Sequence, residues 1–147
     1  MSTTTAPATR SLQTLTLAGA SALTEAAITA ASDQAMAIAV AVHDAGGNLL
    51  SFARMDGVPE LTIEIAQNKS YTAVAFGLPT HQWHDVIKND EPLRLGMVHT
   101  PRLVTYGGGF PLVSAGQVVG AIGISGGHYS QDMQIAQSAL QSCGYAG

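Results

Sequence analysis

The chain has 147 residues, 46% of them apolar and only 11% charged, with a formal net charge of −4 at neutral pH. Six Lys and Arg against ten Asp and Glu leave no basic stripe for phosphate, which argues against nucleic acid as a partner. No run reaches the ~20 uninterrupted apolar residues of a membrane span, and the one cysteine, Cys143, rules out an internal disulfide and fits a reducing compartment.

A chain of this size makes one domain that buries about two-thirds of its unfolded surface without staples. So little charge leaves weakly polar surface, and a homo-oligomer is the simplest cover for it. Residues 1–10, small and polar for the most part, read as a disordered leader, and 11–147 as a single domain. Arg10 followed by LQTLTLAGASAL has the outline of a secretory signal. The segment nevertheless continues through Thr24-Glu25-Ala26-Ala27-Ile28 into an alanine-rich amphipathic pattern, so a cytoplasmic protein is expected.

Thr16 is placed to cap a helix running to about Ser32, with Leu17, Ala20, Leu23, Ala27 and Ala30 on its inner face. Ile38, Val40 and Val42 alternate with alanines as a short strand. Asp44-Ala45-Gly46-Gly47-Asn48 is turn chemistry, and Leu49 to Arg54 is the return arm of a hairpin. Pro59 opens the next helix and Gly77 closes it. Apolar residues on every side of its wheel predict a fully buried helix. Thr80 caps a short helix carrying Trp83, Val86 and Ile87, and Asn89 to Met97 reads as an irregular link.

The stretch Thr100 to Gly127 holds eight glycines among pairs of branched apolar residues. Glycine inside a strand weakens it unless another backbone or a ligand approaches closely. Three strands are predicted there, at Arg102–Tyr106, Phe110–Ser114 and Val118–Ser125, the last two joined by a turn at Ser114 to Gln117. A final helix spans about Ser130 to Ser142 with Ile135, Ala136, Ala139 and Leu140 inward. The order α-β-β-α-α-β-β-β-α is that of an α+β domain with an antiparallel sheet of about five strands flanked by helices.

Basic residues are scarce enough to be weighed singly. Lys69 lies inside the most apolar helix, where a charge is costly unless paired. One reading gives it a structural salt bridge to Asp44, Asp56 or Glu64, or a side chain reaching out to water. The other gathers Arg54, Lys69 and Arg102 around an anionic ligand, such as a small carboxylate or a tetrapyrrole propionate. Gly107, Gly108 and Gly109 offer three successive amides that can form an anion-binding nest, or else a bulge. Thr100 joins these as a candidate binding residue.

Gly123-Ile124-Ser125-Gly126-Gly127 fits the G-x-S-x-G pattern, but only His128 and Asp132 follow it, too close in sequence to complete a hydrolase triad. His81 and His84 sit three apart without a third ligand at motif spacing, so no metal site is expected. Exposed helix histidines pairing with Asp85 and Lys88 are the simpler reading. His99, entering a predicted strand, is the candidate acid–base group or haem iron ligand, set against a solvated loop histidine.

Four segments together carry a resemblance: VAVHDAGGNLLSFARMDG at 40–57, IEIAQNKSYTAVAFGLPTH at 63–81, HTPRLVTYGGGFPL at 99–112, and GQVVGAIGISGG at 116–127 followed by Gln131-Asp132. On these the chain resembles the GlcG/HbpS family, over about residues 12–143. The resemblance implies a profilin-like fold, assembly into dimers to octamers, and haem as the ligand of some relatives. It also implies a kinship with domains of corrinoid-handling enzymes and with proteins encoded among genes for degrading small organic acids. The Glu-x-x-Glu iron element and the export signal of the secreted relative have no counterpart here, and no axial ligand is carried over.

Two functions stand open on this reading. One is an oligomeric protein binding haem, another tetrapyrrole or a small anionic organic acid through Arg54, Lys69, Thr100, Arg102 and Gly107 to Gly109. The alternative is a cofactor-independent hydrolase, deaminase or proton-transfer enzyme acting on a small carboxylic acid, with His99 as its acid–base residue. Neither requires nucleic acid or membrane.

Overall fold

Thr16 starts the first helix as its spacing predicts: the hydroxyl accepts the Gly19 amide at 3.1 Å, and α1 runs Leu17–Asp33. The structure is a computed structural model that describes residues 4–146. Residues 1–3, part of the expected leader, and 147, the end of the expected domain, lie outside the described residues. Two hairpins follow the pattern of their turns. Strands β1 (Ala39–Asp44) and β2 (Leu49–Arg54) flank the Asp44–Asn48 turn, where Asp44 Oδ1 accepts the Gly46 and Asn48 amides at 2.9 Å each. Strands β3 (Gly109–Ser114) and β4 (Gln117–Ser125) flank Ala115-Gly116, both at positive φ as a tight hairpin turn requires.

All pairings are antiparallel, in the order β2-β1-β4-β3. The central strand β1 is covered on both faces. Val40 and Val42, with the preceding Ile38, pack into the main core with Leu23 and Ala27 of α1 and with Ile135 and Ala139 of the last helix, α5 (Tyr129–Ser142). Ala39 and Ala41 point the other way, onto Ala66 of α2 (Leu61–Phe76). The domain is therefore three layers, one helix on one side of the sheet and two on the other.

The glycines of β3 and β4 are explained by α2. Gly109 and Gly123 are direct partners across the two strands. A Cβ at Gly123 would collide with the Ala66 carbonyl and the Ser70 amide, and one at Gly109 with the Lys69 carbonyl. The backbone of α2 rests on bare backbone in the sheet, the close approach that in-strand glycine permits. Gly123→Ala should therefore push α2 off the sheet and cost at least about 2 kcal/mol, read as a shift of the urea midpoint. A variant as stable as the parent would show that α2 does not sit this close.

Four predictions are corrected. Arg102–Tyr106 is not a strand, so the sheet has four strands rather than about five. The side chain of Thr72 on α2 claims that segment, donating to the Arg102 carbonyl at 2.8 Å and accepting the Val104 amide at 3.0 Å. The link Asn89 to Met97 contains a helical turn, α4 (Glu91–Gly96), because Asp90 caps it by accepting the Leu93 amide at 3.1 Å. Helix α2 is not buried all round. It lays small and polar residues, Thr62, Ala66, Lys69, Ser70, Thr72 and Ala73, against the rest of the domain and leaves Leu61 and Phe76 60% exposed or more. Leu17 of α1 is likewise exposed, where the periodicity puts it inward.

Candidate functional site

Lys69 is the deepest charge in the domain, 1% exposed, at the point where β3 begins. There the Ile124 amide still bonds the Gly108 carbonyl at 2.9 Å, but the Ile124 carbonyl takes Lys69 Nζ, also at 2.9 Å. Lys69 supplies the donor at the edge where the ladder ends. Its charge meets Asp132 of α5, with Nζ 2.9 Å from Oδ2, and Asp132 Oδ1 accepts the Gly127 amide at 3.1 Å. Burial draws the Lys69 pKa down and that of Asp132 up, while the attraction between them opposes both shifts. The sequence suggests Asp44, Asp56 or Glu64 as the structural partner of Lys69; the partner is Asp132.

Gly108, at φ +126°, passes directly over this ion pair, and a Cβ there would stand 2.6 Å from Lys69 Nζ. The Gly109 amide donates to Thr80 Oγ1 at 2.9 Å, which ties the 3-10 turn Thr80–Gln82 to the start of β3. Thr80 thus positions the turn from the strand side rather than as the cap of the helix that follows, α3 (Trp83–Ile87).

Between that turn and the first residue of α5 opens a cleft of about 490 Å³, lined by His81, His84, Asp85, Thr105, Tyr106, Gly107 and Tyr129. Tyr106 and Tyr129 stand across it with ring centroids 6.5 Å apart and planes inclined by 52°. Tyr129 is held by its neighbour His128, whose ring lies 4.1 Å away. His128 in turn caps α5, accepting the Ser130 amide at 3.2 Å while Gln131 Oε1 accepts the His128 amide at 3.0 Å, a reciprocal capping box. Behind Tyr106 lies Lys69 Nζ, 5.2 Å from the ring centroid. Burial, and then the charge of Asp132, push the Tyr106 phenol above its ordinary pKa, so it stays a neutral donor.

His81 is the unmatched group of the cleft. Its Nδ1 is buried with no hydrogen-bond partner, while its ring packs 5.5 Å from Phe110. Buried polar atoms are nearly always bonded, and Trp83 Nε1 is the other buried side-chain atom among the described residues without a partner. The expected pairings of His81 with Asp85 and His84 with Lys88 are not formed; Lys88 takes Asp85 at 2.9 Å instead. The value of His81 was hidden in the sequence because its neighbour across the cleft, Gly107, is twenty-six positions away. A weak signal existed in Thr80-His81 directly after the helix-ending Gly77-Leu78-Pro79.

The other expected residues are dispersed. Arg102, at φ +65°, lays its guanidinium 3.6 Å from the Tyr71 ring and donates from Nε to Asn68 at 3.3 Å, on the outer side of α2. Arg54 ends the edge strand β2 and is exposed. His99 and Thr100 are exposed in the 3-10 turn after α4 and its cap. Lys69, Gly107, Gly108 and Gly109 come together; Arg54, His99, Thr100 and Arg102 are not among the residues that line the cleft. Among the described residues no group of three or more His, Cys, Asp or Glu is gathered to hold a metal ion. No helix among them is long and apolar enough to cross a membrane.

A family model described as haem degrading protein HbpS-like matches residues 15–141. The chain is 35% identical over 130 residues to a 15.0 kDa protein of the dhaT-dhaS intergenic region of Citrobacter freundii, covering 88% of this chain and 92% of that one. Among solved structures it is similar to the Klebsiella pneumoniae protein ORFY, with a TM-score of 0.87 and 32% identity over 95% of this chain and 97% of that one. It is also similar to PduOC, solved as a heme complex, with a TM-score of 0.79 and 32% identity over 90% and 97% of the two chains.

Proposed function

Because the chain belongs to the HbpS-like family of haem-degrading proteins, we propose that it binds haem in the cleft between the Thr80–Gln82 turn and the start of α5. The lining of the cleft carries this reading, with two imidazoles and two facing phenol rings around one opening. A haem site needs a donor for the iron and flat walls for the macrocycle. His81 and His84 are the imidazole donors, and the faces of Tyr106 and Tyr129 are the walls. Bound haem supplies a Lewis-acidic, redox-active iron there. Thr105 and the Tyr106 phenol add neutral hydrogen-bond donors. The PduOC heme complex supports the same ligand class.

A small organic acid fits less well, since its carboxylate asks for Arg or Lys and neither type lines the cleft. The reading gives His99, Arg54, Thr100 and Arg102 no part in binding, and assigns the chain no reaction. It includes a homo-oligomer in the cytoplasm. Leu61, Phe76, Leu95 and Val98, each more than half exposed, are the surface assigned to further copies, and the free Cys143 suits a reducing compartment.

One experiment tests binding and assembly together: gel filtration with light scattering after adding one equivalent of hemin. Soret absorbance is expected to elute with protein at a multiple of 15.1 kDa. Replacing both His81 and His84 with alanine should weaken hemin at least ~10-fold while leaving the circular dichroism unchanged. Hemin that elutes free of the parent protein overturns the reading.

A further inference from the structure

We infer that the cleft holds a metallotetrapyrrole by its metal and its ring faces and leaves the ligand's acidic edge in solvent. The inference rests on the haem reading above and concerns what the site recognises.

The charges around the cleft carry the argument. The chain has six Lys and Arg, and none of them is among the lining residues. The two lysines beside it are each matched by one carboxylate. Lys69 Nζ is 2.9 Å from Asp132 Oδ2, and Lys88 Nζ is 2.9 Å from Asp85 Oδ1. Lys69 has no charge to lend, and Lys88, in an exposed pair, brings the Asp85 carboxylate with it. Drawing Lys69 toward a propionate would strand Asp132, 1% exposed, in the protein interior. Drawing Lys88 away would leave Asp85, which itself lines the cleft, facing a second carboxylate.

The remaining polar groups are neutral. Thr105 offers a hydroxyl, Tyr129 a phenol, and Tyr106 a phenol that stays protonated because burial and Asp132 both resist its ionisation. Carboxylates lose much more on leaving water than neutral donors return. The acidic edge is therefore better placed at the open mouth, and binding rests on the imidazoles and the aromatic walls. The ligand class this selects is broader than haem: tetrapyrroles with a coordinating metal, whatever acid side chains they carry.

Trp83, the one tryptophan of the chain, is buried next to the cleft residue His84 and reports binding of coloured and uncoloured ligands alike by quenching. Titrations with hemin, hemin dimethyl ester and metal-free protoporphyrin IX separate the contributions. The ester is expected within about threefold of hemin in Kd, and the metal-free ring at least about tenfold weaker. Lys88→Ala should change the hemin Kd by less than about twofold. An ester more than about tenfold weaker than hemin, or a large loss in Lys88→Ala, would show that the acidic edge is gripped; the inference then falls while the haem reading stands. A metal-free ring that binds as well as hemin also overturns it. If hemin itself fails to bind, the haem reading falls and takes this inference with it.

Discussion

Lys69→Met should cost about 3–5 kcal/mol, the range for breaking a buried ion pair from one side. That is a fifth or more of the ~5–15 kcal/mol that holds a typical domain folded. The loss comes from what stays behind. Asp132 is 1% exposed and keeps only the Gly127 amide as a partner, and the Ile124 carbonyl loses its donor where β3 begins. The variant should also acquire a distinctive pH response. Without Lys69 the folded-state pKa of Asp132 rises further above its unfolded value, because only the Gly127 hydrogen bond and the nearby His128 then oppose burial. A folded pKa raised in this way gives stability that is full below the unfolded pKa and is lost as pH rises through the folded one. Lys69→Met is thus expected to be more stable in mild acid than at neutral pH. Adding Asp132→Asn keeps an acceptor for the Gly127 amide and removes the stranded charge, so the double variant should recover most of the loss. Urea titrations of the four proteins of the cycle measure this. A single variant within about 1 kcal/mol of the parent would mean that the pair behaves like a surface salt bridge and does not organise the site.

The sheet was legible because its signals are local. Val40 and Val42 alternate, Gly46-Gly47 and Ala115-Gly116 mark turns, and each strand lies within a few residues of the turn that sets its register. The segment Arg102–Tyr106 has the same composition as a strand and is not one, since the hydroxyl that binds it comes from Thr72, thirty positions earlier. Long-range partners also hid the ion pair. Lys69 is recognisable as buried because it shares one face of α2 with Ala66 and Ala73, but its partner stands sixty-three residues on. The available clue was Asp132 itself, the acid on the stripe formed by Ala136 and Ala139 of α5. The glycines pointed correctly to a close approach. They do not say whether a ligand or a helix approaches, and at Gly109 and Gly123 it is α2.

The same face of the sheet carries the second large effect, and it runs with pH in the opposite direction. His43 follows Ala39 and Ala41 on the α2 side of β1 and is 1% exposed. Ser70 Oγ donates to the Ala121 carbonyl at 3.0 Å, so it accepts from His43 Nδ1 at 2.8 Å, which fixes the neutral tautomer with its proton on Nδ1. Burial, reinforced by the charge of Arg102 and opposed by Asp44, lowers the His43 pKa from 6.5 to about 4. The unfolded chain therefore takes up a proton near pH 6.5 that the folded chain refuses until about pH 4. Stability from this group is full above the unfolded pKa and is lost as pH falls between those two values, by about 3 kcal/mol in all. Roughly 1 kcal/mol should be gone at pH 5.5 and roughly 2–3 kcal/mol at pH 4.5. His43→Asn places an amide NH2 where Nδ1–H stands and cannot titrate, so its stability should lack this component. The difference between parent and variant, taken from urea midpoints at each pH, isolates His43 from the other four histidines. Parallel curves for the two proteins from pH 7.5 down to 4.5 would show that His43 is protonated within the fold and that Ser70 is not holding it neutral.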